Sequence, residues 1–452
     1  MTRIFGHFVP LEMIFLWLLE FVPCLLAIHV LLIPADAASL LDLATFERAT
    51  ALALSVSATW MAIGLYQPEI CLQTRRLFIS TATGAVLGLP ALLAGGAVLG
   101  IDTAALLGGS LLRPLQFVLT WIVVLFATRL AFRAALHFNL FARNVLIVGA
   151  PADAARTRAA IGQLRSGFFA VSGIASPADA AALAPAALAA KRIWAVVVTA
   201  EARGLLPQDQ LMRGKHAGIH VFGEVEFREQ QLRRIDLDHL DADWMLFAPG
   251  LSRGPLEAAI RRLGDIAISL AMLALTLPVI ALTALLIRLD SRGPILYRQD
   301  RVGLQGRVFT LLKFRSMRTD AEAAGPAWAT KDDHRVTRIG GFIRLARLAR
   351  IDELPQLINV LRGEMSFVGP RPERPHFVAQ LAEAIPFYRD RGTVKPGITG
   401  WAQVTYPYGA SIEDARQKLS YDLYYVKRRS LFLDLLILLA TVRVILFQEG
   451  SR

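Results

Sequence analysis

Long apolar runs, not alternation, dominate the first third of the chain. Met13–Ile33, Ala49–Tyr66, Leu77–Leu99 and Leu112–Leu130 each approach the roughly 20 residues that carry a helix across a bilayer, so the pattern predicts four transmembrane helices. A secretory signal is the rival reading of the first run, since Arg3 precedes it and Ala35-Asp36-Ala37 resembles a cleavage site; the run exceeds the about 7–15 residues of a signal core. Beyond it the pattern changes. Asn144–Gly149 and Ala195–Val198 are short strand-like runs around an Ala/Arg-rich helical stretch, and this alternation predicts a small α/β unit with a parallel sheet. A fifth long run, Leu263–Ile287, has Arg261 and Arg262 before it, Arg288, Arg292 and Arg298 after it, and Pro278 inside it. Positive charge on both flanks and a proline that kinks a helix predict a segment that enters and leaves on one face, with a plain fifth span as the alternative. Leu431–Phe447 is apolar but interrupted by Asp434 and Arg443, and it follows Lys427-Arg428-Arg429; it reads as an interfacial amphipathic helix.

Charge adds orientation. The formal net charge is +12, of which residues 251–452 carry +11 and residues 1–250 only +1. A basic excess suits nucleic acid, an anionic membrane surface or a phosphorylated substrate, and the apolar runs favour the last two. A composition that is 54% hydrophobic also excludes disorder and an ordinary cytosolic enzyme. Asp36, Asp42 and Glu47 follow the first run, whereas Arg75 and Arg76 sit in the next turn and Arg129, Arg133 and Arg143 near the end of the fourth; the positive-inside rule then puts both ends of the bundle in the cytoplasm. Glu20, inside the first run, is a costly residue that could mark a functional path, and pairing toward the bundle interior or snorkelling fits it equally well. Cys24 and Cys71 have no spacing that supports a disulfide or a metal site.

The α/β stretch lacks a dinucleotide fingerprint, because Pro151 stands where the second glycine of G-x-G-x-x-G would let backbone approach a pyrophosphate. His216 and His220 have an i, i+4 spacing, but Gly218 lies between them and no acidic partner is near. The densest chemistry is C-terminal: Lys313-Phe314-Arg315-Ser316-Met317-Arg318, then Asp352-Glu353-Leu354-Pro355-Gln356, then Gly369-Pro370-Arg371-Pro372-Glu373. Cations interleaved with a carboxylate pair suit a magnesium-bound diphosphate. Pro355 and the apolar pattern after it place Asp352 near a helix N-cap, and the roughly 100° between neighbouring helical positions lets the two carboxylates take different tasks. Taken alone, the pair also fits a capping Asp followed by a solvated Glu, and the proline-rich loop fits a turn with an exposed Arg. His376 is the nearest histidine and reads as a supporting polar residue more readily than as a base.

At these residues the chain resembles the bacterial sugar transferases, membrane enzymes that move a sugar 1-phosphate from a nucleotide diphosphate sugar to a polyprenyl phosphate. The resemblance is carried by Tyr297-Arg298-Gln299 with Arg301-Val302-Gly303, by LLKFRSMRTDAE (311–322), by DELPQLINVLRGEMSFVGPRPERP (352–375) and by VKPGITGWAQV (394–404). The tail at 409–447 and the start at Ile4-Phe5 look most like the exopolysaccharide branch associated with exosortase systems. The resemblance implies a membrane α-helical bundle plus α/β fold: four transmembrane helices in 1–138, a degenerate Rossmann-like domain in 139–255, and a monotopic α/β catalytic domain in 256–452 with a re-entrant helix at 263–287. It implies Asp352 as nucleophile and Glu353 as the carboxylate associated with Mg2+. Lys313, Arg315, Arg318, Arg371, Glu373 and Gln403 would bind substrate, and Arg261, Arg262, Asp265 and Pro278 would anchor the re-entrant helix. The implied partners are a UDP-sugar, undecaprenyl phosphate and the lipid of a bacterial inner membrane, with the catalytic domain on its cytoplasmic face and no nucleic acid; a homodimer is compatible with the larger members.

Arg344-Leu345-Ala346 followed by Arg347-Leu348-Ala349 and Arg350 departs from the family as an apparent three-residue duplication, which would either turn upstream side chains by about 60° relative to Asp352 or bulge locally. Two other functions stay open at this point. One is a glycosyltransferase releasing UDP instead of UMP, and the other is a catalytically silent membrane scaffold of polysaccharide assembly.

Overall fold

A computed structural model of the chain describes residues 2–4, 7–9, 11–32, 43–101, 112–162, 168–179, 181–240, 242–246, 251, 254–318, 335–345, 351–406, 409 and 411–447. Most of the apparent duplication at 344–350 lies outside them. The chain divides into two compact units, Met1–Leu232 and Arg233–Arg452.

The first unit opens with a short antiparallel hairpin, β1 (Thr2–Ile4) and β2 (His7–Val9). Helices α1 (Leu11–Leu32), α2 (Leu43–Ile63), the short α3 (Pro68–Leu72), α4 (Thr74–Val98) and α5 (Leu112–His137) follow. The four long helices pack in a ring, α1 against α2, α2 against α4, α4 against α5 and α5 against α1. Among the described residues α1, α4 and α5 are long and apolar enough to cross a membrane, and α2 is not, although it was expected to. Glu47, Arg48 and five Ser or Thr positions dilute its hydropathy. Its hydroxyls are satisfied in place, Thr59 on the carbonyl of Ser55 at 3.1 Å and Ser57 under the indole of Trp17 at 2.5 Å.

Glu20 pairs inward. Its carboxylate bonds Arg129, accepts from Thr128 at 2.6 Å and from Tyr66 at 2.9 Å, and both Glu20 and Arg129 are fully buried. A Glu20→Gln protein keeps the shape but leaves the guanidinium without its counter-charge. It is expected to lose about 1–3 kcal/mol, read as a lower thermal midpoint of the detergent-solubilised protein; an unchanged midpoint contradicts this account.

The same unit continues into a parallel sheet in the order β4-β3-β5-β6, built from β3 (Arg143–Val148), β4 (Phe169–Ala175), β5 (Ile193–Val198) and β6 (His220–Gly223). Period-two alternation buries both faces. Val145, Ile147 and Val197 pack with Ala154 and Ile161 of α6 (Pro151–Gly162) and Phe227 of α9 (Glu224–Leu232). Leu146, Val148 and Val196 pack with Leu188 of α7 (Pro185–Ala190) and Leu211 of α8 (Gln208–His216). Gly149 serves this packing, because a Cβ there would come within 2.3 Å of Thr199 Oγ1. Pro151 simply opens α6. His216 ends α8 and His220 opens β6 against Trp194, so the two share no helix face.

The second unit begins with a segment whose Ile235 and Trp244 join its core. Helix α10 (Pro255–Asp290) is unbroken through Pro278 and spans about 54 Å at 1.5 Å per residue. It is the fourth helix, among the described residues, with the length and hydropathy of a span. Then come the antiparallel β7 (Leu296–Val302) and β8 (Val308–Phe314), α11 (Arg338–Leu345), α12 (Gln356–Arg362), β9 (Ser366–Val368), α13 (Pro375–Ala384), β10 (Gly397–Thr399) parallel to β9, α14 (Trp401–Thr405), α15 (Ile412–Arg428) and α16 (Leu431–Phe447).

Helix α16 inverts the expected amphipathy. Asp434 and Arg443 are buried while Leu431, Leu435 and Val442 are exposed. Asp434 accepts from Arg261 Nε at 2.7 Å and from the Tyr425 hydroxyl at 2.8 Å, so its charge is used inside, alongside Leu433 and Ile437 of the core, while Leu431 and Leu435 face out.

Candidate active site

The strand β8 and the helix α12 are joined by one side chain. Asn359 is fully buried, accepts from the Leu312 N–H at 3.1 Å and donates to the Thr310 carbonyl at 2.8 Å, so it extends the strand ladder with an amide. That clamp sets Lys313, near the end of β8, against the turn that precedes α12. Asp352 and Glu353 lie on this turn, a 3-10 turn over Ile351–Glu353, while Pro355 takes the helix cap. The dyad therefore sits one turn earlier than a capping Asp would. The Leu354 and Pro355 carbonyls take the Leu357 and Ile358 N–H groups at 3.1 Å, which leaves the carboxylates for other partners.

Those partners converge. Glu353 Oε1 accepts from Lys313 Nζ at 3.1 Å and from Arg371 Nη2 at 3.1 Å, and Arg371 also donates to Gln403 Oε1 at 3.1 Å. Lys313 reaches Asp352 Oδ2 at 3.9 Å. The side chain of Asp352 is 33% exposed and that of Glu353 9%, so the loosely held carboxylate is the approachable one. Burial, first, and Glu353 push the Asp352 carboxyl above its ordinary 3.8, against the pull of Lys313 and Arg371.

The loop carrying Arg371 is stiffened from behind. A Cβ on Gly369 would lie 2.2 Å from the Lys395 carbonyl and one on Gly397 2.1 Å from the Gly369 nitrogen, so backbone touches backbone where any side chain would separate them. Arg391 donates to the Arg371 carbonyl at 2.9 Å and pairs with the buried Asp422 of α15 at 2.7 Å. Burial raises the Asp422 carboxyl and Arg391 opposes it.

Of the residues expected from sequence, Lys313, Asp352, Glu353, Arg371 and Gln403 thus come together. Glu373 pairs with Arg301 at 3.5 Å, close enough for its charge to act on Arg371. Arg315 does not join them. It is buried with Nη1 on the Arg292 carbonyl at 3.0 Å and Nη2 on the Ser291 carbonyl at 2.7 Å, at the C-terminal end of α10. The strand ends at Phe314, and the alternation that aims Lys313 at the dyad stops there. Arg318 is exposed beyond a bridge between Met317 and Val336, and His376 is exposed beside Phe377. Sequence reading passed over Asn359, Arg391 and Asp422. The signal for Asn359 was available, a polar residue among Leu357, Ile358, Val360 and Leu361.

Helix α10 is fastened at both ends to the same unit. Arg262 donates to the Val360 and Leu361 carbonyls at 2.6 and 2.7 Å, in the last turn of α12, and Asp265 accepts from Ser366 Oγ and the Phe367 N–H at 3.0 and 2.9 Å. At the far end Asp290 accepts from the Ile339 N–H at 3.2 Å.

Residues 256–448 match the family model described as bacterial sugar transferase. A UDP-N-acetylgalactosamine-undecaprenyl-phosphate N-acetylgalactosaminephosphotransferase of Aeromonas hydrophila is 43% identical over 242 residues, 54% of this chain and 56% of the relative. An undecaprenyl-phosphate glucose phosphotransferase of Komagataeibacter xylinus is 44% identical over 210 residues, 44% of this chain and 39% of the relative. The exopolysaccharide production protein PSS of Rhizobium leguminosarum bv. phaseoli is 40% identical over 196 residues, 41% of this chain and 95% of that protein. The chain therefore spans about half, or less, of the longer relatives.

Proposed function

Because the chain belongs to the bacterial sugar transferase family, we propose that it moves a hexose 1-phosphate from a UDP-sugar to undecaprenyl phosphate, releasing UMP, at the first membrane step of an exopolysaccharide. The observation that carries this reading is the division of labour in the dyad, with Glu353 clasped by Lys313 and Arg371 and Asp352 left approachable beside them. The names of the relatives support the donor class, the acceptor and the polysaccharide setting.

Asp352 attacks the sugar-proximal phosphorus of the donor. A bond forms from its carboxylate oxygen, and the bond to the bridging oxygen breaks, its electron pair leaving with UMP. An oxygen of undecaprenyl phosphate then attacks the same phosphorus and returns Asp352 as a carboxylate. Lys313 and Arg371 offset the charge on the phosphoryl oxygens, and Glu353 holds both cations in place. A magnesium held mainly by substrate phosphates needs only one or two carboxylates from the protein. Glu353 would hold that ion, which supplies Lewis-acid polarisation of the diphosphate when bound.

We further read α10 as re-entrant on the cytoplasmic face of the inner membrane. What supports this is that residues near both ends bond to one folded unit and that Met272, Leu273, Ile280 and Ala284 along its length pack against the core of that unit. The sheet of the first unit is taken as a degenerate Rossmann-like support, and the catalytic portion as 256–452.

The test is nucleotide release by the full chain in lipid, given undecaprenyl phosphate, magnesium and a panel of UDP-sugars. UMP is expected; UDP makes the chain a glycosyltransferase, and release of neither makes it a scaffold. The pH profile adds a second check. Asp352 attacks only when ionised, so kcat/KM rises with pH through its elevated pKa. Lys313→Met removes a cation that holds this pKa down, and the acid limb should move to higher pH; a limb that stays put takes Lys313 out of the field of Asp352.

A further inference from the structure

The first unit has a cleft that nothing in the transferase reading uses. It is open-sided, measures about 490 Å³ and is lined by Leu72, Leu130, Arg133, Ala134, His137 and Phe138, where α3 meets the last turns of α5. That volume falls within the about 300–1,000 Å³ of small-molecule sites. Among the described lining residues two are basic in type, Arg133 and His137, and none is acidic. Arg133 and His137 are one helical turn apart, and Arg133 is held in position by its Nη1 bond to Thr74 Oγ1 at 2.8 Å. Thr74 begins α4, so the exposed Arg75 and Arg76 follow at the same end of the bundle. The remaining lining is apolar and open, with Leu72 37%, Leu130 45% and Phe138 72% exposed. Since α4 and α5 both have the length and hydropathy of membrane spans, a bilayer around them would meet this arginine-rich end at headgroup depth.

We propose that this cleft seats an anionic phospholipid of the surrounding bilayer, its phosphate on Arg133 and His137 and its upper acyl chains along Leu72, Leu130 and Phe138. A free anion would find the basic side chains but leave the apolar walls in water, and a zwitterionic lipid would bring its own cation to a cleft with no carboxylate among its described lining residues. The lipid answers both halves of the lining. The inference is independent of the catalytic reading, because it concerns residues of the other unit.

The full chain would be placed in nanodiscs of mixed phosphatidylcholine and phosphatidylglycerol, and the lipids it retains counted by native mass spectrometry. Retention of phosphatidylglycerol over phosphatidylcholine is expected, reduced about fivefold in Arg133→Gln and kept in Arg133→Lys. Phe138→Ala, which leaves the cations in place, should also lower it, and this variant decides the matter if Arg133→Gln does not fold. Equal retention of both lipids by the parent overturns the proposal, as does a preference unchanged in Arg133→Gln and in Phe138→Ala. Loss of retained lipid to inorganic phosphate would make the cleft a simple anion site, and replacement of phosphatidylglycerol by undecaprenyl phosphate at equal concentration would make it a substrate site; either result removes the phospholipid.

Discussion

An Asp352→Asn protein is expected to release UMP roughly 10³–10⁶-fold more slowly than the parent, with its stability nearly unchanged. The amide keeps the size of the carboxylate but cannot supply the attacking oxygen. Because Asp352 is a third exposed and its nearest cation stands at 3.9 Å, little structure depends on its charge. Glu353→Gln makes the contrast, since that side chain is buried and both Lys313 and Arg371 rest on it. Donor labelled at the sugar-proximal phosphate should leave label on the parent protein when no acceptor is present, and none on Asp352→Asn. A variant that still releases UMP at the parent rate would remove the covalent intermediate and with it the mechanism.

Asp422→Ala should be the most damaging single change away from the dyad. Arg391 would stay inside the second unit without the carboxylate that now meets it at 2.7 Å, and stranding one member of a buried pair costs about 3–5 kcal/mol. For a unit of this size that is a fall of roughly 10 °C in thermal midpoint. Turnover should fall further than stability explains, because Arg391 also fixes the Arg371 carbonyl and through it the guanidinium on Glu353. Asp422→Asn, which keeps a hydrogen-bond acceptor, should recover part of the turnover. If Asp422→Ala melts and turns over like the parent, the Arg371 loop is held by its glycine-backed contacts alone.

Local pattern carried much of this fold. The Val-Leu-Ile-Val run of β3 and the Val-Val-Val run of β5 announce strands buried on two faces, and Pro151 announces that no phosphate loop follows the first. What failed to show depends on partners distant in the chain. Arg315 looks like Lys313 two residues earlier, and only the position of the end of α10 shows that it is committed to Ser291 and Arg292. Arg391 and Asp422 are 31 positions apart, with no periodicity linking them. The charges of α16 look like a polar face turned to water until Tyr425 and Arg261 are seen to receive Asp434. Helix α2 shows the converse. Its apolar run looks like a span, yet its hydroxyls and charges leave it less apolar than its neighbours, and helices on both sides accommodate it.

The outward leucines of α10 change how this protein's concentration should be counted. Leu263, Leu270, Leu275, Leu277, Leu282, Leu285 and Leu289 are all more than half exposed on one helix, a surface that belongs in hydrocarbon and not in water. Such a protein would meet the proposed lipid-borne acceptor in two dimensions, so its encounter rate would follow molecules per unit area of film and not moles per litre. Adding inert detergent micelles at fixed protein and acceptor should therefore slow turnover by surface dilution, while the half-saturating concentration of a water-soluble donor stays where it was.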